Sequence, residues 1–212
     1  MEKSLAVIHS EMELQPLVTN PDRWDGKLAR GVSNVLSPPV AATAGIILTA
    51  IQVATYQAWL WSAAILFSTV LLPTLYVVYL VRRHRVTDFH IPIRSQRIRP
   101  MLFMVGMSIL MVIAMLILHP PLLVIWITAG SVLQLLAIFL ITLKWKISGH
   151  AAAISTLSVL MVLFFGSAAL TAFLLVPIVV WARLRLRRHT PLQTVAGTAL
   201  GLSLLLGVTL LF

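Results

Sequence analysis

The sequence predicts an all-α fold: a polytopic bundle of transmembrane helices with about seven crossings, within which a six-helix core is possible. Three observations carry that prediction. Apolar residues make up 59% of the chain and charged residues only 10%, against roughly 45–50% and about 25% in soluble domains. No Asp, Glu, Lys or Arg occurs from Gly31 to Val81, Pro100 to Leu143, Ile147 to Ala182, or His189 to Phe212. The 16 Lys and Arg are gathered between those stretches, in the N-terminal region, at 82–99, at Lys144 and Lys146, and from Arg183 to Arg188.

Residues 1–34 read as an interfacial or cytosolic tail, part of which can form an amphipathic helix, and 35–212 as the transmembrane domain. The tail contains acids and lacks the long apolar run of a cleaved signal peptide. A crossing needs about 20 residues at 1.5 Å each. Val35 to Gln57 and Trp59 to Val81 supply the first two, with Trp59 and Trp61 suited to the interface. Pro100 begins a third that ends near Leu118, and His119-Pro120-Pro121 breaks the chain, because prolines lack N–H donors and clash with a preceding turn. Leu122 to Leu143 is the fourth. Residues 151–182 are too long for one straight crossing and are expected to fold back near Gly166-Ser167-Ala168. Thr190-Pro191-Leu192-Gln193 opens the last helix with an N-cap, a proline at N1 and a capping-box glutamine at N3.

With that parity every Lys and Arg falls on one face, which the positive-inside rule makes cytoplasmic. The expected location is the plasma membrane of a prokaryote, with the polar site facing the cytoplasm. The charge distribution argues against nucleic acid as a partner and for membrane lipids. The absence of cysteine excludes disulfides and thiolate chemistry. Asp88 is the only acid after Asp25, too few carboxylates for a hard-metal site, and no cofactor is expected.

The same face collects the residues capable of chemistry. HIPIRSQRIRP supplies His90, Arg94, Arg97 and Arg99; KWKISGH supplies Lys146, Ser148, Gly149 and His150; WARLRLRRHTPLQ supplies Arg183, His189 and Gln193. Arginine's planar fork suits phosphate oxygens, and histidine can serve as nucleophile, base or acid near neutral pH. A lipid phosphate monoester or diphosphate explains both residue types. Arg82, Arg83, Arg85, Arg187 and Arg188 read as topology charges, and His9, His84 and His119 as ordinary interfacial histidines.

These segments resemble the type 2 phosphatidic acid phosphatase superfamily, related to soluble vanadium haloperoxidases. The superfamily's third motif, Ser-Arg-x5-His-x3-Asp, is matched by Ala182-Arg183, LRLRR, His189, TPL and Gln193; its second, Pro-Ser-Gly-His, by Ile147-Ser148-Gly149-His150. Of its first, Lys-x6-Arg-Pro, Arg99-Pro100 remains, with Pro92 at the lysine position. The resemblance implies His189 as nucleophile and His150 as general acid, with Arg99, Arg183, Ser148 and the Gly149 N–H on the phosphoryl oxygens. Arg94 and Lys146 stand in for the lysine, and no metal is implied. Gln193 replaces the aspartate, and it reads equally as a partner that orients His189 or as a capping-box residue. That leaves a divergent phosphatase, a phosphotransferase with the same chemistry, or a lipid-phosphate binder or transporter with little turnover. A transporter would place polar groups at mid-membrane; the chain offers Gln52, Gln134 and Pro177 there, and no buried charge is expected. The oligomeric state is not encoded in these features.

Overall fold

The structure, a computed structural model, describes residues 23–87, 91 and 93–209, with the backbone alone at 94 and 204–209. The described residues form helices and no strand: α1 (Trp24–Val35), α2 (Pro38–Val53), α3 (Tyr56–Arg82), α4 (Arg94–Leu118), α5 (Leu122–Lys144), α6 (Gly149–Phe165), α7 (Leu175–Arg185) and α8 (Pro191–Thr209). A 3-10 segment, Gly166–Leu174, joins α6 to α7. Among the described residues four helical runs are long and apolar enough to cross a membrane, or five if the bent pair α1 and α2 is one span. The seven crossings expected from the sequence are not confirmed by this count. The 16 residues of α2 and 17 of α6 rise only about 24 and 26 Å, each short of a core about 30 Å thick.

Residues 149–185 satisfy the length test as one run of 37, yet they are not one rod. Gly166 has φ 67° and ψ −154°, a conformation essentially confined to glycine. Beyond it the chain turns back, and the Ser158 hydroxyl donates to the Ala172 carbonyl at 3.0 Å. In a straight helix these residues would be about 21 Å apart. The return brings α7 beside α6, where Ile154, Leu157 and Val179 share a core cluster with Ala41 of α2. A second cluster joins Ala58 and Ile65 of α3 to Met115 of α4 and Val124 of α5.

Helix α6 is the central element, buried from His150 through Leu160 with the exception of the half-buried Ala153. Helix α8 packs directly on it through Gly197 and Gly201, the small-xxx-small pattern that lets helices approach closely in lipid. A Cβ on Gly197 would overlap the Ser148 carbonyl, and one on Gly201 the Ala152 carbonyl. Helix α3 carries a π-helical stretch, Leu66–Leu71, just before Pro73, which cannot donate to the ladder. The Ser68 and Thr69 hydroxyls cover the Ala64 and Ile65 carbonyls there, each at 2.8 Å.

Two boundaries differ from the sequence reading. Helix α4 starts at Arg94, so Pro100 lies inside it. The region expected as an interfacial or cytosolic tail contains α1, whose Gly26, Ala29 and Ser33 are buried. An exposed opposite face with Trp24, Leu28 and Val35 makes it the amphipathic helix anticipated there. Residues 1–22 lie outside the described residues.

Candidate functional site

Ser33, Arg97, His150, Arg183, His189 and Gln193 come from α1, α4, α6, α7, the turn after α7, and α8. Contacts between these elements bring the basic segments together at one end of the bundle. Arg185 of α7 binds one carboxylate oxygen of Asp25 through both Nε, at 3.0 Å, and Nη2, at 2.8 Å. On the same helix, in its last turn, Arg183 is only 2% exposed. Its Nη1 donates to the Ser33 hydroxyl at 2.7 Å, and its buried Nε has no partner among the described residues.

The spacing between Arg183 and His189 follows from how α7 ends. The Arg187 N–H bonds the Leu184 carbonyl at 2.9 Å and the Arg188 N–H the Arg183 carbonyl at 3.1 Å, with Arg187 left-handed at φ 50°. This is a Schellman closure, and it reverses the chain so that His189 joins Arg183 in the lining of one cavity. His189 Nδ1 lies 3.1 Å from Gln193 Oε1. The oxygen can only accept, so Nδ1 carries the proton and Nε2 keeps its lone pair. The same Oε1 accepts from the Thr190 N–H at 3.3 Å, while the Gln193 N–H donates to Thr190 Oγ1 at 3.4 Å. One oxygen therefore makes both the contact with His189 and the helix-capping bond.

His150 is buried at the start of α6, its Nε2 3.2 Å from the Ser33 carbonyl oxygen and 3.4 Å from its hydroxyl. Ser148 is the N-cap of α6, accepting from the Ala151 N–H at 3.3 Å, and its own N–H donates to the Gln193 carbonyl at 3.1 Å. Its hydroxyl is thus engaged by the helix terminus. Gly149, the first residue of that helix, lines the cavity beside His150. Arg99 is not brought to this place: it is exposed and borders a separate groove with Tyr76, Leu102 and Phe103. Arg97 lines the cavity instead, its Nε donating to the Ile91 carbonyl at 2.8 Å. Residues two apart on a helix point about 200° apart, so Arg97 and Arg99 cannot share a face. Arg94 opens α4, and Lys146 is half-buried and acts electrostatically on His189. Asp88 and His90 lie outside the described residues.

The cavity has a volume of about 400 Å³. From the basic end it follows α5 from Thr142 to Val124, about 27 Å of helix rise. Its walls are chiefly apolar, with hydroxyls from Thr49, Ser62, Thr128 and Ser131 and the amide of Gln134. Thr156 donates to Gln134 Oε1 at 2.7 Å. Among the described residues there is no cluster of His, Asp and Glu that could hold a metal ion.

Sequence reasoning missed Ser33 as a site residue, passed over Arg97 in favour of Arg99, and missed the Gly197 and Gly201 contact. Each had a signal: the small residues Gly26, Ala29 and Ser33 on one face of α1, the helical spacing of Arg97 with Pro100, and the Gly-x3-Gly pattern itself.

Comparison with protein-family models, with curated proteins and with solved structures finds no match. The reading of the site rests on its geometry.

Burial holds the His189 imidazole well below its usual protonation range, reinforced by Arg183, Arg97 and Lys146 and opposed by the Gln193 hydrogen bond. A depressed folded pKa means that the unfolded chain takes up the proton first, below about 6.5. Stability is therefore lost as pH falls below that value, by up to about 1.4 kcal/mol per pH unit. Melting temperatures measured between pH 7.5 and 5 are expected to fall in the native protein and less steeply in His189→Gln.

Proposed function

We propose that this protein is a membrane lipid phosphatase that hydrolyses a phosphate monoester or diphosphate through a phosphohistidine at His189. The observation that carries the reading is the placement of His189, His150, Arg183 and Arg97 together at the basic end of a long apolar cavity. A phosphorylated headgroup fits the basic end, and a hydrocarbon tail fits the apolar length. Phosphatidate, phosphatidylglycerophosphate and polyprenyl phosphates all belong to this class.

In the first step the His189 Nε2 lone pair forms a bond to phosphorus. The bond from phosphorus to the lipid oxygen breaks, and His150 gives its proton to that leaving oxygen. Arg183 and Arg97 hold the equatorial oxygens, with the Gly149 N–H at the first turn of α6. In the second step water attacks the phosphorus, the P–N electrons return to Nε2, and His150 takes the proton from the water. Gln193 orients the ring by accepting from Nδ1–H, although it cannot stabilise an imidazolium as an anion does. The test is release of inorganic phosphate by the purified protein across a panel of lipid phosphates. Release from none of them would reject the hydrolase.

Because one Gln193 oxygen serves both His189 and the helix cap, Gln193→Ala should lower turnover about tenfold and lower the melting temperature as well. Gln193→Asp should retain or raise turnover, since an anion assists the imidazolium and is welcome in a first helical turn. Unchanged turnover in the alanine variant would remove Gln193 from the mechanism.

The site is proposed to face the cytoplasm, because short basic loops are retained on that side. The chain has no cysteine, and Thr87 is exposed, so Thr87→Cys offers a single reporter. A membrane-impermeant thiol reagent should label it in cells only after permeabilisation; labelling of intact cells would reverse the orientation.

A further inference from the structure

Helix α1 reaches the site through Ser33. Ser33 is 2% exposed and meets two side chains from distant parts of the sequence: its hydroxyl accepts from Arg183 Nη1 at 2.7 Å, and its carbonyl lies 3.2 Å from His150 Nε2. A guanidinium presents its donors in a rigid plane, and Nε–H and Nη2–H form one two-pronged edge matched to a phosphate. Ser33 engages Nη1, the nitrogen outside that edge. Nε in particular is buried without a partner among the described residues, in a side chain that lines the cavity. A buried donor left unpaired is costly, and an anion in the cavity would satisfy it. The Asp25 to Arg185 ion pair at 2.8 Å fastens the other end of α1 to α7, so the hydroxyl is delivered by a helix tied at two points.

We propose that Ser33 is a positioning residue of the anion site: it holds Arg183 by Nη1 so that the Nε–Nη2 edge receives one phosphoryl group, and it anchors the His150 ring from the same backbone position. The site is then completed by the N-terminal helix rather than by the three motif segments alone. This rests on the phosphatase reading only in taking a phosphoryl group as the anion.

Phosphate binding separates the two ideas. Inorganic phosphate is titrated into the purified full-length protein in detergent, and its dissociation constant is taken from the rise in melting temperature over each variant's own phosphate-free value. Ser33→Ala is expected to weaken phosphate binding about tenfold, whereas Ser33→Thr, which keeps the hydroxyl, should stay close to the native affinity. If the alanine variant does not fold, Ser33→Cys keeps the shape, accepts only weakly, and should show the same loss. A residue that merely supports the fold would lower the phosphate-free melting temperature and leave the affinity unchanged. Unchanged or tighter binding in both the alanine and cysteine variants would overturn the proposal, and so would a native protein that phosphate does not stabilise. Weakened binding in a protein that hydrolyses no lipid phosphate would uphold Ser33 and reject the hydrolase.

Discussion

Replacing His189 with Ala is expected to abolish release of phosphate from lipid phosphates, a fall of about 10⁴-fold or more for loss of a nucleophile. The protein should still fold, because the partner left behind is not orphaned: Gln193 Oε1 keeps the Thr190 N–H at 3.3 Å. Removal of a buried ring held uncharged beside Arg183 also leaves no unpaired charge. His150→Ala should act differently. Its loss is expected to be severe on a lipid alcohol leaving group and mild on an aryl phosphate, which leaves with little need of a proton. Initial rates on both substrates, with melting temperatures, check this pair. Full activity of the His189 variant on a lipid phosphate would refute the assigned nucleophile.

Gly201→Leu is expected to be the most damaging change away from the chemistry, costing about 3 kcal/mol or more. Its Cβ would overlap the Ala152 carbonyl and come within 2.6 Å of Ser155 Cβ. Since the obstruction is backbone, α8 must move off α6, and the Ser148 to Gln193 backbone bond at 3.1 Å would part with it. Both the melting temperature and any phosphate binding should drop. Gly106→Ala is the control: nothing lies within 4 Å of its added Cβ, and helix propensity alone favours it by about 0.5–1 kcal/mol. Equal melting temperatures for Gly201→Leu and the native protein would show that close helix packing is not required here.

Much of this architecture is legible in the sequence because its largest signals are physical extremes. Ion-free stretches mark the apolar helices, Pro120-Pro121 mark a break, and Thr190 to Gln193 mark a helix start that the structure reproduces with both capping bonds. Length and the one-sided charge map predict the fold-back at Gly166; its backbone geometry supplies the cause that composition lacked. The number of spans was less legible, because α2 and α6 are too short for a simple length criterion. At the site, spacing correctly grouped His150, Arg183 and His189 in one cavity. Position in a motif failed for Arg99, since the face of α4 and not adjacency to Pro100 decides which arginine enters. For Ser33 the small-residue face of α1 marked a packing surface, but its partner Arg183 was not legible, because a contact between residues 150 apart leaves no local pattern.

That long separation also orders the making of the protein. Translation produces Ser33 long before Arg183, so the buried guanidinium arrives where its acceptor already exists. Lys144 and Lys146 stand before the fold-back and Arg183 to Arg188 after it, with no ionised residue between Ile147 and Ala182. The whole loop around Gly166 therefore contains no Lys, Arg, Asp or Glu whose charge a passage through a bilayer would have to carry. Only when His189 emerges are all the residues that line the cavity present, so its basic end is assembled from segments made at widely separated times.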